Sequence, residues 1–258
     1  MEVKALKSIT GHAGAIYDVC LSANTSCFST SADKYVAKWK LDEGTQDKFA
    51  AKLEFSGYRL ALNPTKNILA VGNSRGGIHV IDLTTKQEVR LMSQHQSAVF
   101  SLVYSPKTNE FYSGDNDGFF CVWNGDNFDL KLTLPLECGK IRNIALNEDA
   151  SFIALSCQDG VVRIFETSFF NESFSLQAHK EGANCSIFDG DVLYTGGKDA
   201  HISLWDWKNK KRILHIPAHN FAVYDFLLMG NKKWLVSSSF DKTIKVWDAK
   251  TLKIIGYI

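Results

Sequence analysis

Proline is scarce in this chain of 258 residues, with four copies, and no sign of charge dominates, since 29 basic and 28 acidic side chains leave a formal net charge of +1. So even a balance projects no field that would draw the whole chain to nucleic acid or an anionic membrane, and it names no partner. Long apolar runs are missing as well. No 18 apolar residues stand together, and the N-terminal "MEVKALKSITGH" has no apolar core of signal-peptide length. The expectation is a cytoplasmic protein without a membrane partner. The six cysteines (Cys20, Cys27, Cys121, Cys138, Cys157, Cys185) include no Cys-x-x-Cys pair. Spread through so long a chain, they are read as buried, reduced thiols, with neither a disulfide framework nor a metal site expected. Linker-like Pro/Gly/Ser tracts and low-complexity segments are also lacking, so residues 1–258 read as a single domain. What is present, 45% hydrophobic and 22% charged residues, is the balance of a globular chain.

A repeat organises it. Stepping back from Trp247 one meets Trp205, Phe165, Trp123, Ile81 and Trp39, at intervals of 42, 40, 42, 42 and 42 residues. Six positions before them stand Asp241, Asp199, Asp159, Asp117, Arg75 and Asp33, and four before those Ser237, Thr195, Leu155, Ser113, Val71 and Ser29. Four units also carry an upstream histidine: His219, His179, His95 and His12, the last in a Gly-His pair. Within each unit the periodicity is that of strands. Runs such as "AIYDVCLS", "CFSTS" and "YVAKWK" are short, rich in β-branched and aromatic residues, and bounded by turn residues. A fourth, more polar run follows each tryptophan position and suits an outer edge strand. No stretch shows a sustained helical stripe.

A period of about 40 to 45 residues with four strands and Gly-His and Trp-Asp signatures marks propeller blades. The chain resembles the WD-repeat (WD40) β-propeller family over essentially its whole length, with units one, three, five and six close to the pattern and units two and four degenerate. The resemblance implies an all-β propeller of four-stranded antiparallel blades. It also implies a hydrogen-bond quartet in each intact unit: His12, Ser29, Asp33 and Trp39; His95, Ser113, Asp117 and Trp123; His179, Thr195, Asp199 and Trp205; His219, Ser237, Asp241 and Trp247. The chemistry is sound, because a buried carboxylate and imidazole are each costly alone and satisfied together. In the last unit spacing leaves Ser237 and Ser239 both open. Units two and four, with Leu53 and Glu137 near the histidine position and Arg75, Ile81 and Phe165 replacing clamp members, are expected to rely on apolar packing.

His, Ser and Asp recurring together also invite a hydrolase reading, but four copies in matching strand contexts fit scaffolding rather than a strained nucleophile beside an oxyanion hole. The histidines lie about 40 or more residues apart in separate blades, which argues against metal ligation. No catalytic residue, cofactor or metal is expected. "NSRGG" (Asn73–Gly77) lacks the strand-to-helix context of a phosphate loop and reads as a hairpin turn. The basic "KNKKR" (Lys208–Arg212) reads as solvated surface.

Each unit owns a fourth strand, including "TLKIIGYI" at the end, yet "VKALKSI" precedes the first Gly-His. Either the leading and trailing runs compete for one outer position of a six-bladed ring, or a seventh blade is missing after Ile258; the second is favoured. It would leave a gap beside the first blade and expose sheet faces to another chain.

The resemblance places partner-binding residues on the top face. Five positions after the histidine these are Tyr17, Tyr58, Phe100, Arg142, Asn184 and Tyr224. Before the turn acid they include Lys198 and Phe240, and three after the histidine Lys140. Aromatic rings at four of six equivalent positions, beside Arg142 and Lys198, have the composition of a protein-binding hot spot. The function expected is a non-enzymatic scaffold for a protein or peptide partner. The alternatives are an RNA- or ribosome-associated factor, against which overall neutrality argues, and, less favoured, an enzyme using the central channel.

Overall fold

The computed structural model describes residues 7–23 and 25–258. Among them there is no helix; the chain forms six four-stranded antiparallel sheets, each built from consecutive strands in the order 1-2-3-4. These sheets are the expected blades: residues 16–52, 57–92, 99–135, 141–177, 183–217 and 223–257. The sixth is completed by Ile254–Tyr257, so it does not need the leading run. Of that run, residues 3–6 lie outside the described residues and 7–9 form no strand. Ile9 instead packs on Cys27, Ala37 and Trp39.

The blades fall into two compact units, the first three in Ala5–Glu137 and the last three in Cys138–Ile258. In the N-terminal unit, Phe28, Val36 and Phe49 of the first blade meet Leu60, Leu69 and Ile81 of the second. Ala70, Ile78 and Val80 of the second meet Leu102, Phe111 and Trp123 of the third in the same way. The C-terminal unit repeats the arrangement, Tyr194, Ile202 and Leu204 of the fifth blade packing on Phe226, Leu235 and Trp247 of the sixth. The period-two alternation of each strand thus places one row of side chains on each face, and in the second blade both rows are covered by neighbours, the first blade on one side and the third on the other.

Every turn between second and third strands holds a left-handed residue directly after the turn position: Lys34, Gly76, Gly118, Gly160, Ala200 and Lys242. "NSRGG" is such a turn. Gly76 has φ +95°, and Asn73 Oδ1 accepts the Arg75 and Gly77 amides. "KNKKR" is exposed along its whole length, the solvated surface expected of it; there Lys208 pairs with Asp191 at 2.6 Å, and Lys210 and Arg212 lie over the Phe174 and Trp205 rings.

Candidate interaction surface

Polar relays fix the blades that present the surface. In the first blade Trp39 Nε1 donates to Ser29 Oγ at 2.6 Å, His12 Nε2 lies 2.7 Å from the same oxygen, and His12 Nδ1 lies 2.8 Å from Asp33 Oδ2. An indole can only donate. In a neutral imidazole that donates Nδ1–H to the carboxylate, Nε2 is the acceptor for the hydroxyl proton, and every member of the chain is then satisfied. The fifth blade repeats it through Trp205, Thr195, His179 and Asp199 (3.2, 2.9 and 2.9 Å). The sixth does so through Trp247, Ser237, His219 and Asp241 (2.8, 2.8 and 3.0 Å). The hydroxyl left open by spacing is Ser237; Ser239 donates to Phe221 O and accepts the Asp241 amide.

The third blade departs from expectation. Trp123 and His95 both meet Ser113 Oγ, at 2.8 and 2.6 Å, but the acid is Asp115, 2.8 Å from His95 Nδ1. Asp117 is exposed and accepts only from its neighbour Asn116 among the contacts seen. Asp115 occupies the place of Ser31 in the first blade and caps the turn as that serine does, accepting the Asp117 amide. Being one carbon longer in reach to its carboxyl oxygens than a hydroxyl, it also reaches the imidazole. Burial disfavours the charged His95 ring, but the Asp115 and Cys121 interactions outweigh it and raise its pKa to about 9. When the ring is charged, both nitrogens donate, and Ser113 Oγ uses its two lone pairs for Trp123 and His95.

The degenerate blades also correct the expectation of apolar packing alone. Val71, Ile81, Leu155 and Phe165 are buried at the clamp positions. The second blade nevertheless builds a polar relay from other positions, with His79 Nε2 3.0 Å from Asn73 Nδ2 and Nδ1 3.0 Å from Glu88 Oε2. In the fourth, Arg163 donates two hydrogen bonds to Asp159, at 3.2 and 2.7 Å.

The candidate partner-binding residues share one backbone device. Strand pairing skips a residue near the start of every inner strand, and the skipped residues are Tyr17, Tyr58, Phe100, Arg142, Asn184 and Tyr224. A β-bulge turns its extra side chain out of the alternating pattern, so six equivalent residues are re-aimed alike.

In the N-terminal unit the rings form a row across three blades. Tyr17 and Tyr58 stand edge to face with centroids 4.7 Å apart, and Phe100 is 5.6 Å from Tyr58. Arg59 braces the row from below, donating to Phe100 O at 2.6 Å and lying 3.8 Å from Asp18 Oδ1, while Asp18 Oδ2 accepts the Leu60 amide. Further along the same strands a cleft of about 540 Å³ is lined by Leu21, Leu62, Pro64 and Tyr104, and its lining offers no acid–base pair.

In the C-terminal unit Phe240 meets Tyr224 and Phe221 edge to face, at 6.1 and 6.0 Å, and all three rings are exposed. Phe221 is not singled out by the sequence because it lies at none of the transferred offsets; its place two residues after His219 in "HNF" was the available signal. Lys198 is exposed and 3.9 Å from Glu181, and Lys140 and Arg142 are half-buried. Asn184 is buried and gives its amide to Val223 O, so it ties blades together instead of facing a partner. Among the described residues no cluster of three or more His, Cys, Asp or Glu side chains could hold a metal ion.

Six four-stranded blades, each intact one latched by tryptophan, hydroxyl, histidine and carboxylate, define a WD-repeat protein. The profile of the family described as "WD domain, G-beta repeat" matches residues 3–40, 86–124, 170–206 and 210–248, which are units one, three, five and six, and the chain belongs to that family. It is similar to human pre-mRNA-processing factor 17, 24% identical over 96% of this chain and 45% of that protein. It is similar also to WD repeat-containing protein 55 of Pongo abelii (23%, covering 98% of this chain and 67% of the relative). Pre-mRNA-processing factor 19 of Oryza sativa subsp. japonica is 21% identical over 74% of this chain and 38% of its own length. The chain thus spans less than half of the two pre-mRNA-processing factors.

Proposed function

We propose that this chain is a non-enzymatic scaffold that holds a peptide or protein partner on the bulge-bearing ends of its inner strands. The observation that carries the reading is the bulge itself. It recurs in all six blades at the same place and presents an aromatic ring in four of them. Rings braced by neighbouring blades lose little entropy on binding and offer large contact areas, the properties of interface anchors. The test is affinity capture with the wild type and with a Tyr17→Ala, Phe100→Ala, Tyr224→Ala triple variant. The variant should keep the wild-type melting temperature within a few degrees and lose its partners. Partners retained in full would show that another face binds.

A second reading has its own support, since two relatives are named as pre-mRNA-processing factors and Lys140, Arg142 and Lys198 lie in one unit. A role in assembling an RNA-processing complex is compatible with a scaffold. Direct RNA binding would show as retention of single-stranded RNA with steep loss on adding salt. The protein-binding reading expects no such retention at physiological ionic strength.

A further inference from the structure

The fourth blade has neither the clamp histidine nor the clamp hydroxyl, yet the two places that a latch would join carry thiols. Its second strand, Phe152–Cys157, ends on Cys157, which pairs with Ile141 as Asp115 pairs with Val99 in the third blade. In the third blade the side chain at this place reaches the histidine of the preceding segment. In the fourth, the histidine position holds Glu137, which is exposed, and the inward side chain is that of its neighbour Cys138, 2% exposed. The backbone accounts for the exchange. Glu137 at φ +22° and Gly139 at φ +64° curl the segment so that the side chain between them is the buried one. The curl is held against the second strand: Gln158 N donates to Lys140 O at 2.9 Å, Gln158 Oε1 accepts the Lys140 amide at 3.2 Å, and a Cβ on Gly139 would meet Gln158 Cβ at 3.1 Å.

Both thiols are free, and they lie in hydrogen-bonding contact with each other beside Arg163. The contact makes them unequal. The hydrogen bond from Cys157, with the positive Arg163, holds Cys138 below the ordinary thiol range against the effect of burial. The same hydrogen bond, with burial, pushes Cys157 up. A sulfur that ionises readily beside one that keeps its proton is the pairing of an attacking and a resolving cysteine. Elsewhere the trend is opposite: burial and Asp18 raise Cys20 to about 11, and burial raises Cys27.

We propose that Cys138 and Cys157 are a peroxide-sensitive latch, closing into a disulfide that ties the segment before the fourth blade to the blade's second strand. The oxidant is a hydroperoxide, of which hydrogen peroxide is the smallest. The Cys138 thiolate attacks one peroxide oxygen, the O–O bond breaks, and the departing hydroxide takes the proton that Cys138 gave up and leaves as water. Cys138 is then a sulfenic acid. Cys157 sulfur attacks it, the S–S bond forms as the S–O bond breaks, and the Cys157 proton leaves with the hydroxyl as a second water. Two thiols have lost two electrons and two protons, and the peroxide has taken up both. Residues 136–140 belong to no strand, so this segment opens at lower cost than the sheet and admits an oxidant of water's size. The disulfide would do covalently what the His95–Asp115 contact does in the third blade. Neither cysteine is among the partner-binding candidates, so the latch stands apart from the bulge surface.

The experiment treats the reduced protein with hydrogen peroxide, removes the excess with catalase, alkylates the remaining thiols in denaturant and digests with trypsin. Lys140 and Arg142 stand between the two cysteines, which therefore fall on separate peptides unless linked. Mass spectrometry should find the Cys138 and Cys157 peptides joined, and Cys20 and Cys27 alkylated. The oxidised protein should melt about 5 °C or more above the reduced one, with the gain reversed by dithiothreitol. In Cys157→Ser, dimedone should trap a sulfenic acid on Cys138 and the melting temperature should not rise; in Cys138→Ser, Cys157 should stay unlabelled. The wild-type arm decides the linkage even where a variant folds poorly. Peroxide-treated wild type with both cysteines alkylated, or oxidised only to oxygen adducts, overturns the proposal. So does a linked form that melts with the reduced protein, since the bond would then latch nothing.

Discussion

His95 Nδ1 lies 2.8 Å from Asp115 Oδ2, and Asp115 Oδ1 accepts the amides of Asp117 and Phe119, so one carboxylate both latches the third blade and shapes its turn. Replacing it leaves a buried imidazole without its acceptor and two turn amides unpaired. Asp115→Ala is expected to cost about 3 kcal/mol, the scale of a buried polar pair broken on one side. Asp117→Ala removes an exposed side chain and should stay within about 0.5 kcal/mol of wild type. Urea unfolding of the two variants decides between them; equal losses would return the latch to Asp117.

This pair also shows where the sequence was legible and where it was not. Periodicity locates six blades, and the quartet that the family resemblance implies holds in three of them, at His12, His179 and His219 with their acids. In "SGDND" two aspartates stand two residues apart, and spacing cannot tell which carboxylate reaches the ring. The relay of the second blade was hidden for a different reason: His79 and Glu88 lie at positions the repeat template leaves blank, and only strand pairing brings them together. Bulges were invisible because a skipped residue is a matter of backbone register. Tyr17 and its equivalents were selected by a family offset, and the structure supplies the cause.

The pH dependence of stability should divide between the two ends of the scale. The folded His95 pKa is raised from 6.5 to about 9, burial being outweighed by Asp115 and Cys121. The folded state therefore holds that proton more tightly than the unfolded chain. The resulting stabilisation is fully present below pH 6.5 and is lost as pH rises through 9. At the acid end, burial of Asp199 is overcome by the His179 hydrogen bond and charge and by the Lys180 and His201 amides, lowering its pKa from 3.8 to about 2. That contribution is present above 3.8 and disappears as pH falls through 2. Melting temperatures of wild type and His95→Gln measured from neutral to alkaline pH check the first arm. The gap between them should narrow as pH rises, and a constant gap would contradict the assignment.

His79 offers a test of the substitute relay. It is nearly buried between Asn73 and Glu88, and His79→Leu would leave the Asn73 amide facing an apolar group. A loss of about 1 to 2 kcal/mol is expected from that unpaired donor. Glu88→Gln preserves an acceptor for His79 Nδ1 on a more exposed side chain and should cost under about 0.5 kcal/mol. Thermal unfolding of both variants, with Asn73→Ala for comparison, measures the relay. If His79→Leu were neutral, the second blade would stand on apolar packing after all.

Gly76 separates backbone conformation from space. Its φ is +95°, and a Cβ there would meet His95 O at 2.2 Å and its carbonyl carbon at 2.7 Å, so the turn of the second blade would have to move off the segment carrying the third blade's histidine. Gly190 has φ +57°, and a Cβ added there would have no neighbour within 4 Å. An alanine at Gly190 should therefore cost only the left-handed conformational penalty, about 1 kcal/mol. At Gly76 the same substitution adds a backbone clash and should cost at least about 3 kcal/mol. It should also displace His95 from Asp115, lowering the alkaline inflection that His95 gives to the stability curve. Chemical denaturation of Gly76→Ala and Gly190→Ala at neutral and alkaline pH measures both effects. Equal losses at the two glycines would mean that the close approach of the second blade's turn to His95 does not constrain the fold.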